Sequence, residues 1–362
     1  MDYPSVSVVI PTLNSEKTLR FCLESVAMQE YPQELLEVIV VDAGSTDGTL
    51  RIIEEFRVES QVRTILLSNP LKTGEAGKAV GAREARNELI ALIDSDNILP
   101  EAWWFQKMVR PFEDLEIFGS EPIEYTYRKT DNYVTRYCAL MGMNDPLCYF
   151  LGNYDRKNYI TMRWTDLPVV GTIVGEHGEV KGVGEVNFLK NGDRFEYIRL
   201  ELTSNAVPTI GANGTILRKD LLLNNLKSEY LFDIDLIYEL VSKGNCFFAK
   251  VNVGIVHLFG NSLRTFYRKQ SRRIGDYVYF RNMSVRSYPW RAHSRQRLAL
   301  FVLYCVIVFP LLAEAIRGFA NKRDPVWFLH PVFCWITLWA YGWGYLKGRV
   351  LKKGIDRSKW GE

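Results

Sequence analysis

The sequence reads SVSVVIPTLN over Ser5–Asn14, a β-branched apolar run followed by turn residues. Similar apolar runs recur as LEVIVVD (Leu36–Asp42), VRTILL (Val62–Leu67) and LIALID (Leu89–Asp94). Continuous apolar runs of this length are typical of parallel strands that are buried on both faces. In the segments between these runs, apolar residues recur at helical spacing. The sequence therefore predicts the order β-α-β-α-β-α-β. We therefore expect an α/β, Rossmann-like fold whose sheet is mostly parallel, with helices on both faces.

Polar residues follow the predicted strands at the points where they end. Ligands of parallel sheets bind beyond the carboxyl ends of the strands, which selects Pro11–Asn14, Asp42–Asp47 and Asp94–Asp96. Asp42 ends an apolar strand, where its carboxylate can accept hydrogen bonds from a base or a ribose. Asp47 has a simpler explanation as the cap of the next helix.

The segment Asp94-Ser95-Asp96 offers two carboxylates just past a strand. A turn there can bring both carboxylates to one hard cation, and Mg²⁺ or Mn²⁺ binds one or two carboxylates together with substrate phosphates. The alternative is an ordinary turn with two exposed acids. The residues alone leave both interpretations open.

Composition excludes several classes of protein. The 362 residues are 47% hydrophobic, with 45 Lys and Arg against 42 Asp and Glu, so a disordered chain is excluded. A net charge of +3 argues against a nucleic-acid partner. The six cysteines form no CxxC pair, which favours reduced thiols, and the four histidines are too scattered for a zinc site between sequence neighbours.

Two apolar stretches near the C-terminus predict a membrane anchor. Leu298–Ala313 and Val326–Leu346 contain no charged residue, and a membrane span needs about 20 apolar residues. Five aromatic residues between Trp335 and Tyr345 are typical of membrane interfaces. We expect a two-helix transmembrane hairpin over 298–346, with a pair of buried core helices as the alternative. The N-terminus has neither the basic region nor the apolar run of a signal peptide.

A basic stretch precedes these spans and a basic tail follows them. Ten Arg or Lys and one acid lie between Arg264 and Arg297, a pattern that favours an anionic membrane surface over a nucleic acid. The tail over 347–362 carries six basic and two acidic residues, more positive than the loop Glu314–Pro325. The positive-inside rule therefore predicts an integral membrane protein whose large N-terminal domain and tail are both cytosolic.

Taken together, the strand-end motifs closely resemble the family-2 glycosyltransferases of GT-A fold. The resemblance rests on Pro11-Thr12-Leu13-Asn14, the segment Asp42–Thr49, Gly77-Lys78-Ala79 with Arg83–Asn87, and Asp94-Ser95-Asp96. It covers about residues 5–275 and implies a GT-A domain over 1–260. In that domain 1–115 would form the nucleotide-sugar half and 116–260 the acceptor half.

The resemblance implies roles for particular residues of the nucleotide-sugar half. Pro11, Asn14 and Asp42 would hold the nucleoside, and Thr12, Gly44 and Ser95 belong to the same expected site. Lys78 and Arg83 would line the diphosphate, which suits their charge independently of the family. Asp94 would lie at the ribose or the metal, and Asp96 would bind the metal.

In the acceptor half, the resemblance points to a catalytic base near the start of a helix. The family has an acidic pair here, but Phe232 replaces its Glu, and counting back from Gly244 places the base at Asp233. Asp235 remains the alternative, and a helix cap is the structural explanation for Asp233. A histidine completes the metal site in many GT-A enzymes, which implies His257 as a third ligand.

The basic residues after His257 resemble the interfacial segment of membrane-embedded synthases. We expect this segment over 261–297, and the residues that define it are Arg268, Lys269, Arg272 and Arg273. The two spans after it are similar, at the level of architecture only, to a minimal cellulose-synthase arrangement.

The resemblance therefore implies an inverting hexosyltransferase that uses Mn²⁺ or Mg²⁺ and a lipid-linked acceptor such as a dolichyl or polyprenyl phosphate glycan. GDP-mannose is the first choice of donor, as in dolichol-pathway mannosyltransferases. A UDP-hexose-dependent polysaccharide or glycolipid synthase is the alternative. A membrane nucleotidyltransferase is disfavoured because Pro11–Asn14 supplies no glycine-rich loop, and a non-catalytic scaffold because the acidic residues are retained.

Overall fold

A computed structural model describes residues 3–189, 192–211, 213–283, 286–290 and 295–350. The predicted basic tail, 347–362, lies outside the described residues beyond Val350.

The first part of the chain forms the predicted alternation of strands and helices. Its elements are β1 (Val6–Thr12), α1 (Leu19–Ala27), β2 (Leu36–Asp42), α2 (Thr49–Glu59), β3 (Arg63–Ser68), α3 (Gly74–Glu84) and β4 (Leu89–Leu92). The strands lie in the order β3-β2-β1-β4 and every pair is parallel. Every residue of β1, β2 and β4 is buried, as their continuous apolar sequences predict.

The sheet has a separate core on each face. Val8 and Val38 lie in one hydrophobic cluster, whereas Val9 and Ile39 lie in the other. Successive side chains of a strand point to opposite faces, so both faces must be covered by other elements. This explains why the strands carry no polar alternation.

The second part of the chain extends the same sheet with mixed strand directions. Its elements are β5 (Asn97–Ile98), α4 (Trp104–Val109), β6 (Ile117–Thr126), α5 (Tyr133–Met141), α6 (Pro146–Leu151), β7 (Val170–Val174), β8 (Val180–Glu185), β9 (Tyr197–Glu201), β10 (Thr215–Arg218), α7 (Lys219–Asn225), α8 (Asp233–Ser242) and β11 (Phe247–His257). The strand order is β3-β2-β1-β4-β10-β6-β11-β9-β7-β8, and β5 also pairs with β11.

The prediction of a mostly parallel sheet is wrong beyond β4. Strand β10 is antiparallel to both β4 and β6, β11 is parallel to β6, and β9, β7 and β8 continue in antiparallel pairs. Strand β10 begins 123 positions after β4 ends, so its direction depends on long-range packing that a local sequence pattern does not encode. The α/β class itself is confirmed.

In the part of the chain that the structure describes, four α-helices follow the sheet: α9 (Leu263–Met283), α10 (Arg295–Ile307), α11 (Phe309–Asn321) and α12 (His330–Val350). Within the described residues, no single helix is both long enough and apolar enough to cross a bilayer. Helices α10 and α11 meet those criteria as a pair, and their axes are bent by 94°. The run predicted as one span is broken at Val308, because Pro310 in the first turn of α11 cannot continue the hydrogen-bond ladder of α10.

The close packing of α3 on the sheet gives a first prediction. A Cβ at Gly81 would overlap Val9 Cγ1 and lie 3.1 Å from Val41 Cγ2. We expect Gly81→Ala to lower the free energy of unfolding by about 1–3 kcal/mol, the usual cost of overpacking. Denaturant unfolding measures the change. Gly74→Ala in the same helix is the control, since nothing lies within 4 Å of its Cβ position. Equal stability of both variants would contradict this packing.

Candidate active site

The loops after β1 and β2 lock together at the edge of the sheet. Asp42 Oδ2 accepts hydrogen bonds from the backbone N–H groups of Gly44 (2.8 Å) and Ser45 (2.9 Å). Asn14, in the left-handed conformation with φ 49°, accepts from Thr46 N at 2.9 Å through its Oδ1. The predicted nucleoside residues thus form one preorganised rim, in which Asp42 is oriented by its own turn.

Helix α3 begins directly over the end of β1. A Cβ at Gly77 would lie 2.8 Å from Pro11 Cβ, so glycine is needed for this close approach. Thr73 caps the helix by accepting from Ala76 N at 3.1 Å. Next to Pro11, the buried Oγ1 of Thr12 has no hydrogen-bond partner among the described residues. The arrangement places Lys78 in the first turns of a helix that is held tightly against the strand ends.

The Lys78 ammonium joins two carboxylates from distant parts of the chain. Its Nζ lies 3.2 Å from Asp233 Oδ2 and 3.6 Å from Asp94 Oδ1. Lys78 is buried, Asp233 is the first residue of α8, and Asp94 follows β4. Three of the predicted site residues therefore meet at one point.

Burial and charge oppose each other in this cluster. Burial disfavours the charged form of Lys78, but the carboxylates of Asp233 and Asp94 outweigh it and raise the pKa of the lysine. Burial also raises the pKa of Asp233, and the neighbouring Lys78 offsets only part of that rise. Lys78 is therefore a permanent cation, whereas Asp233 is a carboxylate with raised basicity, which is what proton abstraction requires.

A second cluster lies around Asp96. Asp96 Oδ1 is 3.3 Å from His257 Nε2, at the end of β11, and Asp96 Oδ2 is 3.5 Å from Lys269 Nζ on α9. Burial alone would raise the pKa of Asp96, but His257 and Lys269 outweigh it and hold that pKa well below its usual range. Asp96 is therefore an anion, with a histidine on one side and a lysine on the other.

These residues supply part of a metal site. Asp96 and His257 are adjacent, and a carboxylate with an imidazole suits Mn²⁺ or Mg²⁺ when substrate phosphates complete the coordination. Asp94, the other predicted ligand, faces Lys78. Among the described residues, no group of three or more His, Cys, Asp or Glu is arranged to hold a metal ion.

Two predicted nucleotide-sugar residues make other contacts. Arg83 is exposed five residues beyond Lys78 on α3, and its guanidinium donates to Ser228 O at 2.6 Å in the loop before α8. Ser95 Oγ lies 2.9 Å from Ser15 Oγ, which ties the Asp94–Asp96 turn to the segment after β1. Neither contact brings the side chain to the Lys78 cluster.

Asp235 is held away from the Lys78 cluster by contacts that fix the segment 286–288. Its carboxylate accepts from Arg286 Nε at 2.7 Å, Ser287 N at 2.6 Å and Tyr288 N at 3.0 Å. Asp235 is buried. These contacts give it a structural role, and of the two aspartates in α8 only Asp233 faces the cluster.

The four residues that define the predicted interfacial segment fall on two faces of α9. Lys269 and Arg273 point inward, where Lys269 contacts Asp96 and Arg273 donates to Asn144 O at 2.9 Å. Arg268 and Arg272 are exposed. Helical geometry explains the division, because neighbouring residues are rotated by about 100° around the axis.

Sequence reasoning missed two asparagines that support the site, Asn144 and Asn97. Asn144 Nδ2 lies 3.1 Å from His257 Nδ1 and thereby orients the imidazole. Asn97 accepts from Asp94 N at 2.9 Å and donates to Asn213 Oδ1 at 3.0 Å, which connects the acidic turn to the loop before β10. Asn144 is 113 residues from His257, and Asn97 is 116 residues from Asn213, so a local sequence pattern does not indicate these two contacts.

Comparison with known families supports the resemblance seen in the motifs. The model of the family described as "Glycosyl transferase family 2" matches residues 7–166. That range includes β1 to β4, Lys78, Asp94 and Asp96 but ends before Asp233 and His257.

Two curated relatives differ in how much of them the chain covers. Glycosyltransferase AglE of Haloferax volcanii is 30% identical over 142 residues, which are 39% of this chain and 46% of that protein. The chain thus matches less than half of the AglE sequence. The dolichyl N-acetyl-alpha-D-glucosaminyl phosphate 3-beta-D-2,3-diacetamido-2,3-dideoxy-beta-D-glucuronosyltransferase of Methanococcus voltae is 23% identical over 365 residues, covering 95% of this chain and 97% of that protein.

A solved structure of similar fold is the mannosyltransferase PcManGT from Pyrobaculum calidifontis, in complex with GDP-Man and Mn²⁺. The TM-score is 0.52, with 14% sequence identity over 95% of this chain and 88% of that one. This likeness supports the GT-A fold.

The position of Asp235 predicts a stability effect. We expect Asp235→Asn to lower the free energy of unfolding by about 1–3 kcal/mol, because Arg286 loses its charged acceptor in a largely buried contact. Denaturant unfolding measures the change. Asp220→Asn is the control, since Asp220 also lies in the first turn of a helix but is exposed. If the free energy of unfolding of Asp235→Asn equals that of the unsubstituted chain, the structural role of Asp235 is contradicted.

Proposed function

On the premise that residues 7–166 form a glycosyl transferase family 2 domain, we propose that the chain is a glycosyltransferase that moves a hexose from a nucleotide sugar to a lipid-linked acceptor. The observation that carries the proposal is the position of Asp233. It presents a carboxylate with a raised pKa beside Lys78, which also contacts Asp94 just beyond the carboxyl end of β4. A base and a cation side by side match the two charges that develop during glycosyl transfer.

In the proposed step, Asp233 accepts the proton of an acceptor hydroxyl as its oxygen bonds to the anomeric carbon. The bond from that carbon to the nucleoside diphosphate breaks, and the diphosphate leaves with the bonding electron pair. Lys78 balances the charge of the leaving group. A single displacement inverts the configuration at the anomeric carbon, so one carboxylate base is sufficient.

A divalent cation fits the proposal at Asp96 and His257. When bound, Mn²⁺ or Mg²⁺ would supply neutralisation of the diphosphate charge. Asp96 is kept anionic by its surroundings, and Asn144 fixes the ring of His257. The donor phosphates would provide the other ligands.

GDP-mannose is our first choice of donor, and a UDP-hexose is the alternative. The structure of similar fold from Pyrobaculum calidifontis was solved with GDP-Man and Mn²⁺. The name of the Methanococcus voltae relative, which aligns over 95% of this chain, describes transfer to a dolichyl phosphate-linked sugar. These two proteins support the choice of a nucleotide-sugar donor and of a polyprenyl-type acceptor.

The catalytic base is tested with a matched pair of variants. We expect Asp233→Asn to retain donor binding but to reduce turnover by about 10²–10⁴-fold, the usual contribution of general-base catalysis. Asp235→Asn, two positions along the same helix, should retain most of the turnover of its folded fraction. Transfer of radiolabelled sugar to a lipid-linked acceptor measures both. Loss of transfer in Asp235→Asn with retention in Asp233→Asn would move the base to Asp235.

The pH profile tests the Lys78–Asp233 contact. Activity requires deprotonated Asp233, so kcat/KM should fall as the pH drops through its raised pKa, above the range of an ordinary aspartate near 3.9. Lys78 partly counteracts that rise, so Lys78→Gln should move this acid limb to still higher pH. An unmoved limb in Lys78→Gln would show that another group titrates.

The metal assignment is tested by nucleotide binding rather than turnover. We expect Asp96→Ala to abolish the Mn²⁺ dependence of GDP and UDP binding, because a carboxylate ligand is lost. Isothermal titration with and without Mn²⁺ provides the readout. Glu113→Ala, which removes an exposed acid, is the control. Mn²⁺-dependent binding that persists in Asp96→Ala would contradict the assignment.

A further inference from the structure

Helix α12 is attached to the globular domain along much of its length. Near its start, Phe333 stacks on Tyr137 with ring centroids 3.9 Å apart, and His330 Nδ1 lies 2.7 Å from the Tyr137 hydroxyl. Further along, the Tyr341 hydroxyl donates to Asp145. His330 and Tyr341 are eleven residues apart, roughly 16 Å along a helix. A helix held against the domain over this distance has too few residues left to cross a hydrocarbon core of about 30 Å.

The bent pair α10–α11 is attached to the domain at both ends. Near the start of α10, Arg297 Nη1 lies 3.0 Å from Asp166 Oδ2. After α11, Asp324 accepts from Arg136 Nε at 3.0 Å. A single broken span would place its ends on opposite sides of a membrane. These two ion pairs instead hold both ends on the side of the globular domain.

The bend between α10 and α11 is the most exposed apolar part of this pair. Val306 is 72% exposed and Phe309 is 77% exposed, and the two helices meet at 94°. Between them, Val308 has φ 67°, a strained conformation for a β-branched residue. The pair therefore forms a wedge with a hydrophobic apex and ends fixed to the domain.

Tryptophans extend this surface along α12. Trp335, Trp339 and Trp343 are 55%, 68% and 49% exposed, and their spacing of four residues places them along one side of the helix. Trp335 Nε1 donates to Cys305 O at 2.7 Å, so the row of tryptophans begins beside α10. Tryptophan is enriched at the boundary between lipid headgroups and acyl chains.

Exposed arginines lie on the neighbouring helix. Arg264, Arg268 and Arg272 on α9 are exposed, again four residues apart. Ile274 of α9 would contact any Cβ placed at Gly344, so α9 runs beside the second half of α12. Basic side chains next to an aromatic row match the charge of anionic headgroups.

We propose that α10, α11 and α12 insert into one leaflet of an anionic membrane and do not cross it. The α10–α11 bend would be the deepest point, the three tryptophans would lie at the headgroup boundary, and the three arginines of α9 would contact lipid phosphates. This replaces the two-helix transmembrane hairpin expected from the sequence. It is independent of the proposed chemistry, because no residue of the Lys78 or Asp96 clusters takes part.

Vesicle flotation tests the partner. The chain should float with phosphatidylcholine vesicles that contain phosphatidylglycerol. Replacing Arg264, Arg268 and Arg272 by glutamine should weaken binding about a hundredfold, since each basic residue near the surface contributes about fivefold. The charge-matched control replaces Arg20, Arg51 and Arg57 by glutamine; these arginines are exposed or half-exposed on α1 and α2.

The double variant Trp339→Ala with Trp343→Ala should also lose binding to these vesicles. Trp103→Ala, which removes a tryptophan 51% exposed on the globular domain, should not.

Cysteine labelling tests the depth of insertion. In vesicles with the globular domain outside, an impermeant maleimide should modify both Arg295→Cys and Arg323→Cys, and Phe309→Cys only after detergent is added. The unsubstituted chain gives the background from its native cysteines. Protection of Arg323→Cys while Arg295→Cys reacts would establish a crossing and overturn the proposal.

If the chain does not float with the vesicles and forms a stable dimer in solution, the apolar surface belongs to an interface with a second copy, and the proposal is overturned. Both readouts are independent of transferase activity.

Discussion

The buried Lys78 ammonium is the interaction on which the rest of the candidate site depends. Because burial removes this ammonium from water, negative charge nearby must offset the cost of its desolvation. Asp94 and Asp233 supply that charge. These two acids come from different parts of the chain: one ends the parallel half of the sheet and the other begins α8. The ion pairs therefore fix the distance between the half that would bind a nucleotide sugar and the half that would bind an acceptor.

Helix α9 connects this centre to the surface that we assign to lipid. Its inward face carries Lys269, which contacts Asp96, and its outward face carries Arg268 and Arg272. One helix thus touches the metal-binding candidate on one side and would touch lipid headgroups on the other. The arrangement agrees with the proposed lipid-linked acceptor, because α9 lies between the Asp96 cluster and that surface.

The sequence was sufficient for features that depend on local pattern. Buried parallel strands and the polar clusters at their ends followed from continuous apolar runs, and the family resemblance is confirmed by the match over residues 7–166. Features that depend on distant partners were not accessible. The different roles of Asp233 and Asp235 follow from the contact of Asp235 with Arg286, which lies 51 residues further along the chain. The direction of β10 and the attachment of α12 to Tyr137 likewise require the folded chain, although Pro310 was a local sign that the first apolar stretch is broken.

In the proposed reaction, the cluster of Lys78, Asp94 and Asp233 surrounds the reacting atoms. The most direct measurement is a structure of the chain with Mn²⁺ and an intact, non-transferable analogue of the donor sugar nucleotide. We expect the diphosphate between Lys78 and the Asp96–His257 pair, with the face of the anomeric carbon opposite the leaving group open toward Asp233. A nucleotide bound elsewhere, or a sugar whose anomeric carbon faces away from Asp233, would contradict it.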